Sequence, residues 1–272
     1  MRMDVQLFGI DGKASKSITL PQVFSGDFRV DLVRRALSAE QSRNYQPQAR
    51  DPMAGLRTTA VYVGKYSARY RTGRHMGISI RPRQKLGGGA MGDVRRIPSS
   101  VKGRRSHPQK LEKKILERIN AKEYVRALES ALAGCAQVRD IKQRQDFGAS
   151  ALPIVVDNRI EGIDKTKELV KVINALGLGN ELDASHKPSR RKGIRRLARQ
   201  RHFRKSMLIV AKNIDNVGRA GRNIAGVDVC TVDRLTVGKL APGSTPRITI
   251  WSEDAISGVE KALQGRSLAF EN

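Results

Sequence analysis

The run MLIVAKNIDNVGRAGRNIAGVDVCTV, residues 207–232, indicates the fold class. Met207–Ala211 and Val227–Val232 are short and mostly apolar, which is typical of strands buried on both faces. Between them, Arg219–Ala225 has the composition of a short helix. Because parallel neighbours need a crossover connection, usually a helix, this order predicts two parallel strands joined through one.

The same alternation continues on both sides of this run. Leu152–Val156 and Arg247–Trp251 are further short apolar segments, and Lys165–Leu176 and Ser252–Leu263 have apolar residues at helical spacing. Strands alternating with helices give a mainly parallel sheet with helices on both faces. The chain is therefore predicted to form a single α/β globular domain of three layers over residues 1–272.

The first half of the chain predicts a hairpin and two helical regions. Residues 3–9 and 15–20 alternate around Asp11-Gly12, and Asp-Gly favours the positive φ angles of a tight turn. Asp31–Ser42 has helical spacing, as does Gln109–Ala136, with a break near Asn120. The second half of the latter is predicted to be a core helix.

Composition points to a polyanionic partner. The 272 residues include 52 Lys and Arg against 26 Asp and Glu, for a formal net charge of +26. Such a charge favours nucleic acid binding. Cys135 and Cys230 stand far apart, which predicts two buried, reduced thiols. Without a signal peptide or transmembrane run, a cytoplasmic protein with no membrane contact is expected.

The excess charge is concentrated in two segments. Residues 44–108 contain 14 Lys and Arg against two Asp, and residues 186–205 contain ten against none. The rest of the chain is close to neutral. A basic enzyme would more often spread its charge over solvated helix faces, so this distribution favours RNA-contacting segments.

The first basic segment, residues 45–107, lacks helical or strand periodicity from Asn44 to His107. It is rich in Gly and contains four of the five tyrosines. Arg and Lys pair with phosphates, Tyr stacks on unpaired bases, and Gly permits close backbone approach. We predict an extended loop that penetrates RNA; the alternative is a solvated flexible linker, which more often contains Ser, Pro and Glu. The predicted contacts from composition are Arg69, Arg71, Arg74, His75, Arg81, Arg83 and Lys85.

The second basic segment, HKPSRRKGIRRLARQRHFRK, covers residues 186–205. Its position between a helix and a strand favours a functional insertion over a nuclear-localisation patch or an unspecific basic tail, the alternatives for short basic runs. The predicted RNA contacts here are Arg190, Arg191, Lys192, Arg195, Arg196, Arg199, Arg201 and Arg204.

Motifs for other chemistry are weak. Residues 216–223, NVGRAGRN, resemble a dinucleotide loop but lack the GxGxxG spacing, so tight strand-to-helix packing is the favoured reading. His75, His107, His186 and His202 have no metal-ligand spacing and lie in or beside the basic segments. No catalytic residue, metal, cofactor or small-molecule substrate is predicted.

Six stretches together carry a family resemblance that spans nearly the whole chain. The stretches are AGLRT (54–58), RRIPSSVKGRRSHPQK (95–110), RALESALA (126–133), LPIVV (152–156), GRNIAGVDV (221–229) and LAPGSTPRITIWSEDAI (240–256). Together they resemble the universal L-four family of large-subunit ribosomal proteins, in its archaeal and eukaryotic branch.

This resemblance implies a structural constituent of the large subunit that binds and helps to assemble its rRNA. The loop at 45–107 would reach the polypeptide exit tunnel, with rRNA, neighbouring ribosomal proteins and the nascent chain as partners. An RNA-modifying enzyme and a general RNA-packaging protein stay open as alternatives. The RNA contacts that the resemblance carries over are Arg57, Arg95, Arg96, Lys102, Arg104, Arg105 and His107.

Overall fold

The structure is a computed structural model that describes residues 3–62, 78–142, 145, 147–148, 151–187 and 203–269. The chain divides into two compact units. Unit 1 comprises residues 1–44 and 117–272, and unit 2 comprises residues 45–116.

Unit 1 contains six strands and all of the described α-helices. Its strands are β1 (Asp4–Phe8), β2 (Ala14–Thr19), β6 (Ile154–Val156), β7 (Met207–Ala211), β8 (Val227–Thr231) and β9 (Ile248–Ser252), numbered along the whole chain. Its helices are α1 (Val30–Ser42), α2 (Ala121–Ala136), α3 (Val138–Lys142), α4 (Thr166–Ala175), α5 (Gly179–His186), α6 (Asp215–Gly221), α7 (Val237–Leu240) and α8 (Glu253–Ala269).

The six strands form one sheet in the order β2-β1-β6-β9-β7-β8. All neighbours are parallel except β1 and β2, which pair as an antiparallel hairpin. Gly12 has a φ of +75° in the connecting turn, as the Asp11-Gly12 pair predicts. The mainly parallel sheet and the N-terminal hairpin are both confirmed.

The inner strands of the sheet contribute to two cores because successive side chains point to opposite faces. In β7, Leu208 and Val210 join one core, while Met207 and Ile209 join the other. The first core is built with α1, α2, α7 and α8, and the second with α3, α4, α5 and α6. The predicted three layers are therefore present in unit 1.

Both cysteines lie in the first core as buried free thiols, as predicted. Burial raises the pKa of Cys135 to about 12, so its thiol stays protonated and unreactive at neutral pH. None of the described helices is both long and apolar enough to span a membrane.

Two helix predictions need correction. Helix α2 begins at Ala121, so residues 109–120 are not helical, and Leu111 and Leu116 expose 62% and 53% of their surface. A segment whose apolar residues have helical spacing does not form a stable helix unless its apolar side chains pack against another surface. Helix α6 occupies Asp215–Gly221 rather than Arg219–Ala225, so it begins four residues earlier than predicted; an Asx turn, in which the Asp215 N–H donates to Asn213 Oδ1 at 3.1 Å, directly precedes it.

Unit 2 contains regular structure that the sequence did not predict. Three short antiparallel strands form a sheet in the order β3-β4-β5: β3 (Val61–Tyr62), β4 (Pro82–Lys85) and β5 (Met91–Val94). Gly88, with a φ of +69°, lies in the turn that joins the last two. The prediction of no regular structure across residues 44–107 is therefore wrong in part, since strands of two to four residues are too short to give a periodic signal.

Candidate nucleic-acid interface

Half of the residues predicted to contact RNA lie in the described part of the chain. Unit 2 holds Arg57, Arg81, Arg83, Lys85, Arg95, Arg96, Lys102, Arg104, Arg105 and His107, and unit 1 holds Arg204. The others, which fall outside the described residues, are Arg69, Arg71, Arg74, His75, Arg190, Arg191, Lys192, Arg195, Arg196, Arg199 and Arg201.

Two of the stretches that carry the family resemblance pack against each other in unit 2. Gly55, in AGLRT, has a φ of +79°, and a Cβ on it would stand 2.6 Å from the backbone nitrogen of Arg104. Arg96 Nη1 donates to the Ala60 carbonyl at 3.4 Å. Only glycine permits so close an approach, so the backbone itself joins these stretches.

Some predicted RNA contacts also hold unit 2 together. The Arg95 side chain is only 19% exposed and donates to the Val101 carbonyl at 3.0 Å and to Asp93 at 3.1 Å. Arg57 forms an ion pair with Asp51 at 3.1 Å. Arg95 therefore braces the turn that follows it, and part of its charge is already neutralised within the unit.

The turn after Arg95 contains unusual backbone conformations. Arg96 has a φ of +68° and Lys102 a φ of +57°, in the left-handed region that side chains larger than glycine rarely occupy. The Gly103 N–H donates to the Ser100 carbonyl at 3.0 Å and helps to close the turn. Left-handed non-glycine residues concentrate at functional sites, so we take this turn as the centre of the candidate interface in unit 2.

Exposed cations lie in this turn, directly after it and at the two ends of β4. Within the described residues, none of them has a carboxylate at ion-pair distance, so their charges face solvent unopposed; they are Arg81, Lys85, Lys102, Arg104 and Arg105. His107 is exposed as well, and Arg83 is half-buried with Nη2 bonded to Ser79 Oγ at 3.2 Å. Tyr62 exposes 53% of its surface and pairs in the sheet with Pro82, the residue between Arg81 and Arg83. Unpaired guanidinium groups and an exposed aromatic ring suit contact with phosphates and unpaired bases.

The second basic segment leaves and rejoins unit 1 at the amino edge of the sheet. It follows α5 and leads directly into β7. At the return, Arg204 pairs with Glu181 at 3.2 Å and Lys205 with Asp228 at 2.6 Å. Glu181 is only 1% exposed, so the end of this segment is tied to the folded body by a buried carboxylate.

A buried arginine extends this anchor into the sheet. Arg247, 2% exposed, pairs with Asp228 at 2.8 Å and donates to the carbonyls of Lys239 and Met207 at 2.6 and 3.3 Å. Burial on its own raises the pKa of Asp228, but the hydrogen bonds and charges of Lys205 and Arg247 outweigh it and hold that pKa below its usual value. Asp228 thus joins the basic segment to two strands.

Gly226 shapes the backbone at the same edge. The Ser206 N–H donates to its carbonyl at 2.9 Å, and its φ is +81°. A Cβ on Gly226 would collide with the carbonyl oxygen of Arg204 and lie 2.7 Å from Ser185 Cβ. The return of the basic segment therefore requires glycine at this position.

We expect Gly226→Ala to destabilise unit 1 by about 2 kcal/mol more than Gly177→Ala, because it adds an overpacking clash. Gly177 is the matched control: its φ is +78°, but a Cβ there would meet no atom within 4 Å, so its change isolates the cost of positive φ, roughly 1 kcal/mol. Urea-induced unfolding of the full-length variants measures both. Equal losses would contradict the proposed close packing at Gly226.

The carboxyl edge of the sheet is occupied by the chain itself. The strands β9 and β7 are neighbours, but the helices that follow them, α8 and α6, lie on opposite faces of the sheet. The crevice between the carboxyl ends of two such strands is where α/β sheets usually bind ligands. In this protein the side chain of Glu161 lies in that crevice. Its carboxylate accepts from the backbone N–H groups of Lys212 and Asn213 at 2.8 and 3.1 Å and from Ser252 Oγ at 2.6 Å.

We expect Glu161→Gln to lower the free energy of unfolding by roughly 1–3 kcal/mol, because the amide nitrogen would face a donor and leave it unsatisfied. Glu168→Gln on α4 is the control, since Glu168 is exposed and pairs only with Lys165 at 3.5 Å. Such an exposed pair contributes less than about 1 kcal/mol. Equal effects of the two changes in urea unfolding would show that Glu161 holds nothing in place.

The sequence reading missed the residues of both edges. Glu161, Glu181, Asp228 and Arg247 were not predicted, because the ion-pair partners of the last three and the groups that Glu161 binds lie 19 to 91 residues away in the chain. Of these residues, Arg247 could have been recognised from the sequence, because it is a charged residue directly before the apolar run of β9. The described residues contain no group of three or more His, Cys, Asp or Glu arranged to hold a metal ion.

Comparison with known proteins assigns the chain to a family. The model of the ribosomal protein L4/L1 family matches residues 18–262, which include the whole of unit 2 and most of unit 1. The large ribosomal subunit protein uL4 of Methanococcus vannielii is 36% identical over 264 residues, covering 95% of this chain and 99% of that protein. The uL4 proteins of Methanocaldococcus jannaschii and Archaeoglobus fulgidus are 34% and 35% identical, over 96% and 93% of this chain and 100% and 97% of their own lengths. The chain therefore belongs to the ribosomal protein L4/L1 family.

Proposed function

We propose that the protein is a structural constituent of the large ribosomal subunit, acting on the ribosome in the cytoplasm. The observation that carries this proposal is family membership over residues 18–262 together with full-length similarity to large-subunit proteins. The function is to bind large-subunit rRNA and to stabilise its folded form during assembly. Neighbouring ribosomal proteins are further partners.

Unit 2 is proposed to supply the deeper RNA contact. Its turn near residues 96–103 bears exposed Lys102, Arg104 and Arg105, which suits phosphate binding from within a folded RNA. By resemblance to the family, the loop at 45–107 extends toward the polypeptide exit tunnel and meets the nascent chain. The charge and glycine content of this segment support that assignment.

The second basic segment is proposed to bind RNA at the amino edge of the sheet in unit 1. The carboxyl-terminal end of the segment is held to unit 1 by two ion pairs, Arg204 with Glu181 and Lys205 with Asp228. Arg204 was predicted as an RNA contact, and its ion pair with Glu181 makes anchoring its first role. The residues between 188 and 202 would supply the phosphate contacts.

The arrangement at the carboxyl edge of the sheet in unit 1 supports a structural role over a catalytic one. The crevice in which related sheet architectures bind ligands holds the Glu161 carboxylate, bonded to two backbone N–H groups that an anionic ligand would need. An RNA-modifying enzyme would require a separate site for its cofactor or reacting groups. Neither that alternative nor general RNA packaging is favoured by the family relationship.

Co-sedimentation tests the proposal. Full-length tagged protein, expressed in archaeal cells that carry their own ribosomes, is expected to sediment with the large subunit in a sucrose gradient and to stay bound at high salt. A general RNA-packaging protein would distribute over all RNA and be released by salt. Sedimentation away from large subunits would overturn the proposal.

A further inference from the structure

A groove on unit 1 is lined by residues that belong to neither basic segment. It has a volume of about 730 Å³ and opens between residues 22–32, helix α2 and helix α8. None of its lining residues belongs to unit 2 or to residues 186–205. Its size is within the range of cavities that hold several side chains or a small ligand.

The floor of the groove is apolar. It is formed by side chains from all three walls: Val23, Leu32, Val125, Ala133 and Leu263. An apolar floor that opens to solvent within a polar rim is the usual anatomy of a protein-binding site.

The rim of the groove is acidic, in contrast to the chain as a whole. Asp27, Glu129 and Glu260 line it and are exposed. Of the two basic lining residues, Arg29 is paired with Asp31 at 2.7 Å, which leaves Arg126 against three carboxylates. In a protein with twice as many basic as acidic residues, such a rim repels RNA phosphate and attracts cationic side chains.

The wall at residues 27–29 is fixed before any partner binds. Ser130 Oγ on α2 donates to the Asp27 carbonyl at 3.2 Å and accepts from the Arg29 N–H at 2.7 Å. Gly134, one turn further along α2, lets the Phe28 ring lie against the helix, where a Cβ would come within 2.5 Å of it. A preformed groove avoids an ordering cost on binding.

We propose that this groove docks a segment of a neighbouring ribosomal protein that presents an apolar side chain flanked by Lys or Arg. The apolar side chain packs on the apolar floor of the groove, and the flanking cations pair with Asp27, Glu129 and Glu260 on its rim. This inference rests on the proposed membership of the large subunit and adds to it a face that contacts protein rather than RNA.

Site-specific photo-cross-linking within purified large subunits tests the docking. The full chain carries Arg126→p-benzoylphenylalanine, which places the probe in the groove while leaving the three carboxylates intact. The control carries the same probe at Glu168 on α4, an exposed position on the opposite helical layer. We expect irradiation to join position 126, but not 168, to one protein segment that mass spectrometry identifies as apolar with adjacent Lys or Arg.

Charge reversal provides the second readout. Glu129→Lys with Glu260→Lys is expected to lower the cross-link yield at position 126 about tenfold, since like charges across an interface are strongly unfavourable. Glu129→Gln with Glu260→Gln should lower it less. A cross-link to rRNA, to a second copy of this chain, or to nothing in particles that contain the protein would overturn the docking proposal. Absence of both probed proteins from large subunits would instead overturn the proposed function.

Discussion

The affinity of the protein for its rRNA site is expected to fall on the order of a thousandfold or more between 50 and 200 mM monovalent salt. This follows if six to ten phosphates are neutralised, because each releases condensed counterions on binding. Unit 2 alone presents five exposed cations that no described carboxylate opposes. Filter binding to an rRNA fragment protected by the protein in large subunits measures the dependence, and a flat profile would contradict electrostatic binding.

Single substitutions identify which charges cause the salt dependence of rRNA binding. Arg104→Gln and Arg105→Gln are each expected to reduce the slope of log affinity against log salt by about one unit. Arg219→Gln is the matched control: it removes the same charge from an exposed side chain on α6, which lies 4.0 Å from Asp164. If all three changes reduced the slope equally, the net charge of the protein rather than the turn in unit 2 would drive binding.

Arg247→Met is expected to lower the free energy of unfolding by about 3 kcal/mol, since it removes a buried cation with its hydrogen bonds and leaves the half-buried Asp228 carboxylate with Lys205 as its only described ion-pair partner. The change also leaves the carbonyls of Lys239 and Met207 without this donor. Urea unfolding measures the loss. Arg219→Met, at an exposed position, is the control and should change stability by less than about 0.5 kcal/mol.

A second substitution identifies the origin of that loss. If the partly unpaired carboxylate is responsible, Asp228→Asn should restore part of the stability when it is added to Arg247→Met, because the half-buried charge that has lost one of its two partners is then removed. Asp228→Asn in the wild-type background should itself destabilise, since it breaks the pairs with Lys205 and Arg247. If the double variant lost the sum of the two single losses in free energy of unfolding, the packing of the Arg247 side chain, and not its charge, would be what stabilises the amino edge of the sheet.

The sheet was predictable from the sequence because burial on both faces leaves a local signal. Met207–Ala211 contains no polar side chain, and all five residues are buried in the structure. The alternation of such runs with helical spacing sufficed to predict the layers. The helix predicted over residues 109–120 failed because the same spacing occurs there without a surface to cover Leu111 and Leu116.

The candidate interface was predictable in composition but not in geometry. Arg104 and Arg105 could be named from the sequence, yet nothing local indicates that Gly55 packs against the backbone at Arg104, 49 residues later. The anchor at Asp228 was likewise hidden, because Lys205 and Arg247 reach it from opposite directions along the chain. Contacts of this kind are set by topology, which residue types alone do not determine.

Two residues of unit 1 that flank unit 2 in the chain are joined by a hydrogen bond, in which the Glu117 N–H donates to Ser42 Oγ at 3.0 Å. The roughly 70 residues between them form a closed loop, and neither core of unit 1 contains a residue from unit 2. Loop-closure entropy grows only logarithmically, so a loop of this length costs about 2 kcal/mol more than one of roughly nine residues. A change in the length of this insertion is therefore expected to alter the stability of the sheet domain only slightly.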